Sequence, residues 1–389
     1  MTRYPVKDKV AFAGTGATAF SRDSGERSQL SLCAEACTRA IEDAGLTAAD
    51  IDGIAGAVPI AYKVQSALGI PETTWWTSPP QEGSFVQVIL EAMNAVYSGA
   101  CNTVIAYHTF YRLPWASRAA AKDPFRRMLS ITGGVSPAPE DVWGSVGYTA
   151  WASRYLYEYG ASREDFGLVA VNSRSNAGRN PNAVMRSPIG MDDYLAARMI
   201  RWPLSLLDMD VPIDGAVAFV ITTAERARDL PGRPVLIHAA TAGVIDRNEE
   251  DQTPGLRNHG QRVTVETLRA RSDLWLDDMD VYYPYDGFSF ITLSWLEAIG
   301  LCGPGEAGAF IRDNWDDKTN SLVIHGRVPV NTHGGSLSEG GTQGAGHIRE
   351  AVLQLRGEAG ERQVPGAGTA ILTPGGFFFN AHGLVLRAE

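Results

Sequence analysis

Short apolar runs alternate with helical patterns along the whole chain. Strand-like runs rich in Val, Ile, Ala and Phe fall at 10–15, 103–107 and 216–222, and again at 234–240, 369–373 and 384–386. Between them, the 3.6-residue spacing of apolar positions predicts helices near 34–44, 84–98, 263–271 and 347–356. Strands alternating with helices predict an α/β architecture. The pattern also repeats weakly. A helix, a short acidic turn and an apolar strand occur around Asp50-Ile51-Asp52 and again around Asp278-Met279-Asp280. This repeat divides the chain into 1–232 and 233–389, with a long excursion at 110–203 inside the first part and a linker at 226–233.

Composition narrows the classes. The chain has 389 residues, 44% of them hydrophobic, ample for a large core. A net charge of −10 and a pI near 5.3 argue against a nucleic-acid partner. No apolar run reaches the ~18 residues of a membrane span; the nearest, 281–300, is interrupted by Pro284, Asp286 and Glu297. The first ten residues lack the apolar run of a signal peptide. Cys33, Cys37, Cys101 and Cys302 contain no Cys-x-x-Cys, so a reduced, cytoplasmic protein without disulfides is expected. The seven histidines lack ligand spacing, so no metal site is expected.

The stretch 328–339, Val-Pro-Val-Asn-Thr-His-Gly-Gly-Ser-Leu-Ser-Glu, is the most informative. Gly334, Gly335, Gly340, Gly341, Gly344 and Gly346 are too many for a helix interior, where each costs up to ~1 kcal/mol. Such a loop is expected to bring backbone close to a ligand and to aim N–H groups at it. With Asn331 before it and Gln-Leu-Arg-Gly-Glu-Ala-Gly-x-Arg-Gln-Val-Pro at 354–365 after it, the loop resembles the C-terminal active-site loop of thiolases. The match is best to the sterol-carrier-protein type and its lipid-transfer-protein and aldolase relatives. The resemblance implies a duplicated thiolase fold with five layers, α-β-α-β-α, and a homodimer. We expect its contact through the strand 103–107.

Thiolases use an early Cys, two His and a late Cys. At the early position this chain offers Gly83 or Ser84. Ser84 reads as a helix N-cap more readily than as a nucleophile or a donor. The second element aligns without gaps on 280–289, Asp-Val-Tyr-Tyr-Pro-Tyr-Asp-Gly-Phe-Ser, with Tyr285 replacing the His. The steroid-cleaving relatives carry Tyr-Asp here, so Tyr285 is the first catalytic candidate; the plain alternative is a packed tyrosine at a strand end. The second His falls on Gly341, where these relatives commonly have another Tyr. His333 is the candidate substitute acid or base, or else a structural histidine. The late Cys is absent from 374–383, where Phe377, Phe378 and Phe379 either wall an apolar pocket or pack internally, and His382 reads as structural.

Asn331, Gly334, Gly335 and Gly341 are candidates for holding an enolate oxygen. In the 110–203 excursion, which also holds Arg112, the basic residues Arg118, Lys122, Arg126 and Arg127 either meet a coenzyme A phosphate or form an ordinary solvated face. The resemblance implies an aldolase that cleaves the Cα–Cβ bond of a β-hydroxyacyl-CoA, with a steroid side-chain thioester as one candidate and no cofactor beyond the acyl-CoA substrate. The alternatives are a non-catalytic acyl-CoA or lipid-binding subunit, and an acyltransferase. It also implies a partner, a small OB-fold and zinc-ribbon acyl-CoA-binding protein.

Overall fold

The computed structural model describes residues 4–79, 85–112, 145–247, 253–378 and 380–389. Strand β1 (Val10–Ala17) leads into α1 (Gln29–Asp43), β2 (Gly53–Ala55), α2 (Ala61–Leu68), β3 (Trp75–Thr77), α3 (Val86–Ser98) and β4 (Thr103–Tyr111). Helices α4 (Ser145–Tyr159), α5 (Arg163–Ala177) and α6 (Met191–Ala196) and the hairpin β5 (Met199–Arg201) and β6 (Leu204–Ser205) precede β7 (Asp214–Thr223) and α7 (Ala224–Arg228). The chain continues through β8 (Val235–Gly243), α8 (Gly260–Arg271), β9 (Val281–Pro284), α9 (Ser289–Ala298) and α10 (Ala307–Asp313). It ends with β10 (Trp315–Asp316), β11 (Ser321–Ile324), β12 (Val328–Pro329), α11 (Gly335–Ser338), α12 (Ala345–Arg356), β13 (Thr369–Thr373) and β14 (Ala381–Ala388).

The nine-stranded sheet runs β3-β2-β4-β7-β1-β8-β14-β13-β9. Read outward from the β1–β8 junction, its two arms have one topology. The first is β1-β7-β4-β2-β3. The second is β8-β14-β13-β9, completed by Val330, which bridges Tyr282 in parallel. Both arms are antiparallel across their first two pairings and parallel thereafter. The weak repeat in the sequence is therefore a true structural duplication. Its acidic turns do the same work in each arm. Asp52 accepts from the Asn102 and Thr103 amides at 2.9 and 2.7 Å, and Asp280 from the Gly368 and Thr369 amides at 2.8 and 2.9 Å.

Strand side chains alternate between faces, and the cores sort accordingly. On β1, Val10 and Phe12 join a central core with Ile89, Met93, Ile348, Val352, Phe219 and Leu384, so α3 and α12 lie between the inner faces of both arms. Ala11 and Ala13 join an outer core with α1 and α2. Tyr282, Ile371 and Val385 face the other outer core, covered by α4, α5, α8, α9 and α10. The order is helix, sheet, helix, sheet, helix. The shared junction holds through two residue pairs, Ala11 with Leu236 and Phe12 with Val235.

The strand expected at a dimer contact needs correcting. β4 lies between β2 and β7, with both edges hydrogen-bonded, so it has no free edge to offer. Among the described residues, the open edge in this arm belongs to β3, which pairs only with β2. Cys33, Cys37 and Cys101 are buried, and none of the four cysteines is disulfide-bonded. No described helix is long and apolar enough to cross a membrane.

Candidate active site

The fully buried strand β9 is fixed by Tyr282, whose hydroxyl meets Thr373 at 3.1 Å, and by Tyr283, whose hydroxyl meets Thr332 at 3.0 Å. Directly after it, the Tyr285 amide donates to the Thr373 carbonyl at 3.0 Å, and Thr292 donates to the Tyr285 carbonyl at 3.1 Å. The half-buried Tyr285 ring folds back over Gly287. A Cβ at 287 would stand 2.6 Å from the Tyr285 hydroxyl, so glycine is required for this ring position. The hydroxyl itself makes no hydrogen bond to a described residue. Burial and then the negative charge of Asp210 push its pKa well above the usual phenol value, Tyr148 and Asp286 act in the same direction, and Arg112 opposes them. Tyr285 is thus a neutral phenol near pH 7, a proton donor rather than a standing base.

The glycine loop does aim amides at an anion, but the anion is the protein's own. Asp286, fully buried, accepts from the Ser336 and Leu337 amides at 2.7 and 3.3 Å, from the Ser173 hydroxyl at 3.1 Å and from His347 Nε2 at 3.0 Å. A Cβ at Gly335, whose φ is 59°, would overlap the Asp286 carboxylate. The expectation that Gly334 and Gly335 bring backbone to a ligand is therefore corrected: Gly335 clears space for Asp286, and Gly334 lies against Ala177 of α5. Asn331 is also committed to the scaffold. Its φ is 51°, and its amide group donates to the Pro284 carbonyl at 2.9 Å, tying the loop to the strand end that carries Tyr285.

His333 lies behind this loop with no solvent exposure. Its ring is 4.7 Å from His347 and 5.8 Å from Tyr283, and its Nε2 is 3.8 Å from Glu339 Oε2. Burial first, then His347, holds its pKa well below the ordinary histidine value, so it is neutral. Burial pushes Glu339 up to about 7, against Arg349 and an Asn180 hydrogen bond. Asn180 donates to both the His333 carbonyl, at 2.8 Å, and Glu339, at 2.9 Å. The downstream motif is scaffold as well. Gln354 donates to the Arg362 carbonyl at 2.7 Å, and Arg362 clamps the buried Glu350 at 2.9 and 3.0 Å.

Sequence reasoning missed Asp286, His347, Glu339 and Asp210. It also missed the polar side of α5 and the turn after it, where Asn172 and Asn176 hold the Val330 carbonyl, Ser173 meets Asp286, and Asn180 holds the glycine loop at the His333 carbonyl. The recurrence of asparagine every four residues, at 172, 176 and 180, was the available signal.

The four elements that the resemblance calls for converge. The Phe85 amide at the start of α3 approaches the Gln343 carbonyl at 3.4 Å, and Gln343 meets His108 at 2.7 Å. Gly344 packs on Pro374, and Gly341 on Asp210 and Arg112. Phe377 and Phe378 are core residues, packed with Phe290, Tyr148 and Trp151. Ser84, Arg118, Lys122, Arg126, Arg127 and Phe379 lie outside the described residues. A cavity of about 760 Å³ is lined by Trp151, Arg154, Leu256 and Arg257, among others; Tyr285, Asp210 and Arg112 are not part of its wall. Among the described residues, no cluster of His, Cys, Asp and Glu could hold a metal ion.

Fold and site define a thiolase-type protein in which tyrosine replaces histidine at the end of β9. Residues 244–388 match the family described as Thiolase C-terminal domain-like. The chain is 36% identical to 17-hydroxy-3-oxo-4-pregnene-20-carboxyl-CoA lyase of Mycobacterium tuberculosis, covering 94% of this chain and 98% of that one. It is 35% identical to the steroid side-chain-cleaving aldolase of Thermomonospora curvata, covering 98% of each. A solved Ltp2-ChsH2(DUF35) aldolase superposes with a TM-score of 0.83 at 33% identity, covering 98% of both chains. The chain belongs to this family of thiolase-like aldolases, the carbon–carbon lyases of the thiolase superfamily.

Proposed function

We propose that this protein cleaves the Cα–Cβ bond of a β-hydroxyacyl-CoA whose β-carbon belongs to a steroid, without a nucleophilic cysteine or a cofactor. A base removes the β-hydroxyl proton, and the O–H electrons form the ketone C=O. The Cα–Cβ pair moves to Cα, giving the thioester enolate. Tyr285 then delivers a proton to Cα and releases the shorter acyl-CoA. The observation that carries this reading is Tyr285 itself, a protonated phenol without a hydrogen-bond partner among the described residues, at the family's catalytic strand end. We assign His333 a positioning role through His347 and Asp286, and keep Arg118, Lys122, Arg126 and Arg127 as contacts to the coenzyme A phosphates. A homodimer is proposed through the open edge of β3. The family's solved aldolase supports a second partner, a small OB-fold and zinc-ribbon acyl-CoA-binding protein. Free thiols suit a cytoplasmic setting.

The test is incubation with a steroid β-hydroxyacyl-CoA, with and without that partner, following ketone and shorter acyl-CoA together. Equal amounts of the two products are expected. Tight binding without cleavage would instead identify a binding subunit, and acyl exchange without a ketone an acyltransferase.

A further inference from the structure

Gly341 has no side chain, and the space a Cβ would take is filled by Asp210 Oδ2 and Arg112 Nη1. These two residues, far apart in sequence, form a two-pronged ion pair, Nη1 to Oδ2 at 2.5 Å and Nη2 to Oδ1 at 3.3 Å. Backbone bonds hold the pair against the candidate tyrosine. The Asp210 amide donates to the Gly287 carbonyl at 3.0 Å, and the Gly341 amide donates to the Val211 carbonyl at 2.8 Å. Gly287 is the residue over which the Tyr285 ring folds. Asp210 and Arg112 are also the strongest negative and positive electrostatic neighbours of Tyr285. Asp286, the other acid beside Tyr285, is saturated by four donors, whereas Asp210 is partly exposed, at 17%, and among the described residues its carboxylate carries only Arg112.

Resting on the function proposed above, we propose that Asp210 is the base that accepts the β-hydroxyl proton, with Arg112 positioning its carboxylate, and that Gly341 is glycine so that this pair can enter the site. The step balances. Asp210 takes the hydroxyl proton as the ketone forms, Tyr285 gives its proton to Cα, and Asp210 returns a proton to the phenolate. No oxidant, metal or water is consumed.

The test compares kcat and KM in the intact protein with its partner for Asp210→Asn, Asp210→Ala and Arg112→Lys. Asp210→Asn is expected to lower kcat at least ~100-fold with KM changed less than about threefold, and with thermal unfolding near wild type. Added formate is expected to restore Asp210→Ala at least ~tenfold, a rescue that a scaffold role would not show and that Tyr285→Phe should not share. Arg112→Lys keeps the cation but not the fork, and is expected to retain more activity than Asp210→Asn. Asp210→Asn turning over within about threefold of wild type, or Asp210→Ala unmoved by formate, overturns the assignment while the lyase reading stands. If Asp210→Asn does not fold, the formate rescue of Asp210→Ala decides. Wild-type protein that cleaves nothing overturns both.

Discussion

β2 and β9 hold the same place in the two arms of the sheet, each between a parallel neighbour on one side and the arm's outermost residue or strand on the other. Each begins at an aspartate, Asp52 or Asp280, that ties it to the strand beside it. Their far ends differ. After β2 the chain runs into Gly56, covered by the buried Tyr107 ring, whose hydroxyl is satisfied by the Pro59 and Gly56 carbonyls. After β9 it runs into Tyr285-Asp286-Gly287. Here the tyrosine hydroxyl has no hydrogen-bond partner among the described residues, and the carboxylate beside it organises the glycine loop. Duplication supplied two equivalent strand ends. One closed on itself as core; the other kept a tyrosine donor and two acids together. Buried polar groups left unsatisfied are costly, so their concentration in the second arm marks it as the arm under functional demand. Asn331 Oδ1, both His333 ring nitrogens, Ser336 Oγ, Glu339 Oε2 and His347 Nδ1 are all buried and make no hydrogen bond to a described residue.

The sharpest break in that comparison is Tyr285→Phe. It removes the donor and leaves the ring on Gly287, so turnover should fall at least ~100-fold while circular dichroism and the unfolding midpoint stay near wild type. Unchanged turnover would return Tyr285 to the same standing as Tyr107.

Gly335→Ala attacks the support instead. It forces a left-handed φ on a residue with a Cβ and drives that Cβ into Asp286, so stability should drop by about 3 kcal/mol in denaturant unfolding. A loss under about 1 kcal/mol would show that the loop tolerates another path around Asp286.

Glu339→Gln probes the buried polar cluster through pH. With its pKa raised to about 7 against an unfolded value near 4.3, the folded chain holds a proton that the unfolded chain releases. Its stabilising contribution is therefore full below that unfolded value and is lost as pH rises toward about 7. The variant should lack this decline, so the wild-type-minus-variant stability difference should shrink by up to ~3 kcal/mol between pH 4.5 and 7.5. A pH-independent difference would place Glu339 in an ordinary solvated state.

The smallest effects are expected at the equivalent aspartates and at the thiols. Asp52→Ala and Asp280→Ala should each cost about 1–2 kcal/mol, with activity unchanged in both. Iodoacetamide should leave activity intact, because burial pushes Cys101 and Cys302 up to about 12 and Cys33 well upward. Inactivation that tracks one thiol and is blocked by substrate would point to an acyl-enzyme.

The fold was largely legible in the sequence because its strands are short apolar runs and because Asp52 and Asp280 recur at one structural position. Tyr285 was legible through a gapless motif. What the glycines are for was not. Gly335 faces Asp286, and Gly341 faces Asp210 and Arg112, partners between about 50 and 230 residues away in sequence. Local spacing carries no record of such contacts. The polar stripe of α5 was obscured in the same way, because Asn and Ser on a helix read as solvent-facing until the helix is seen to be buried. The dimer contact was placed on β4 because of its apolar run, but such a run marks a central strand, and both edges of β4 are hydrogen-bonded within the sheet.

The central claim is that an enolate forms at this second strand end and is protonated there. Cleavage of the steroid β-hydroxyacyl-CoA in deuterium oxide tests it most directly. The account predicts a shorter acyl-CoA carrying one deuterium at Cα for each ketone released, with both products lost together in Tyr285→Phe. Thioester consumed without ketone, or a cleaved product without deuterium at Cα, would contradict it.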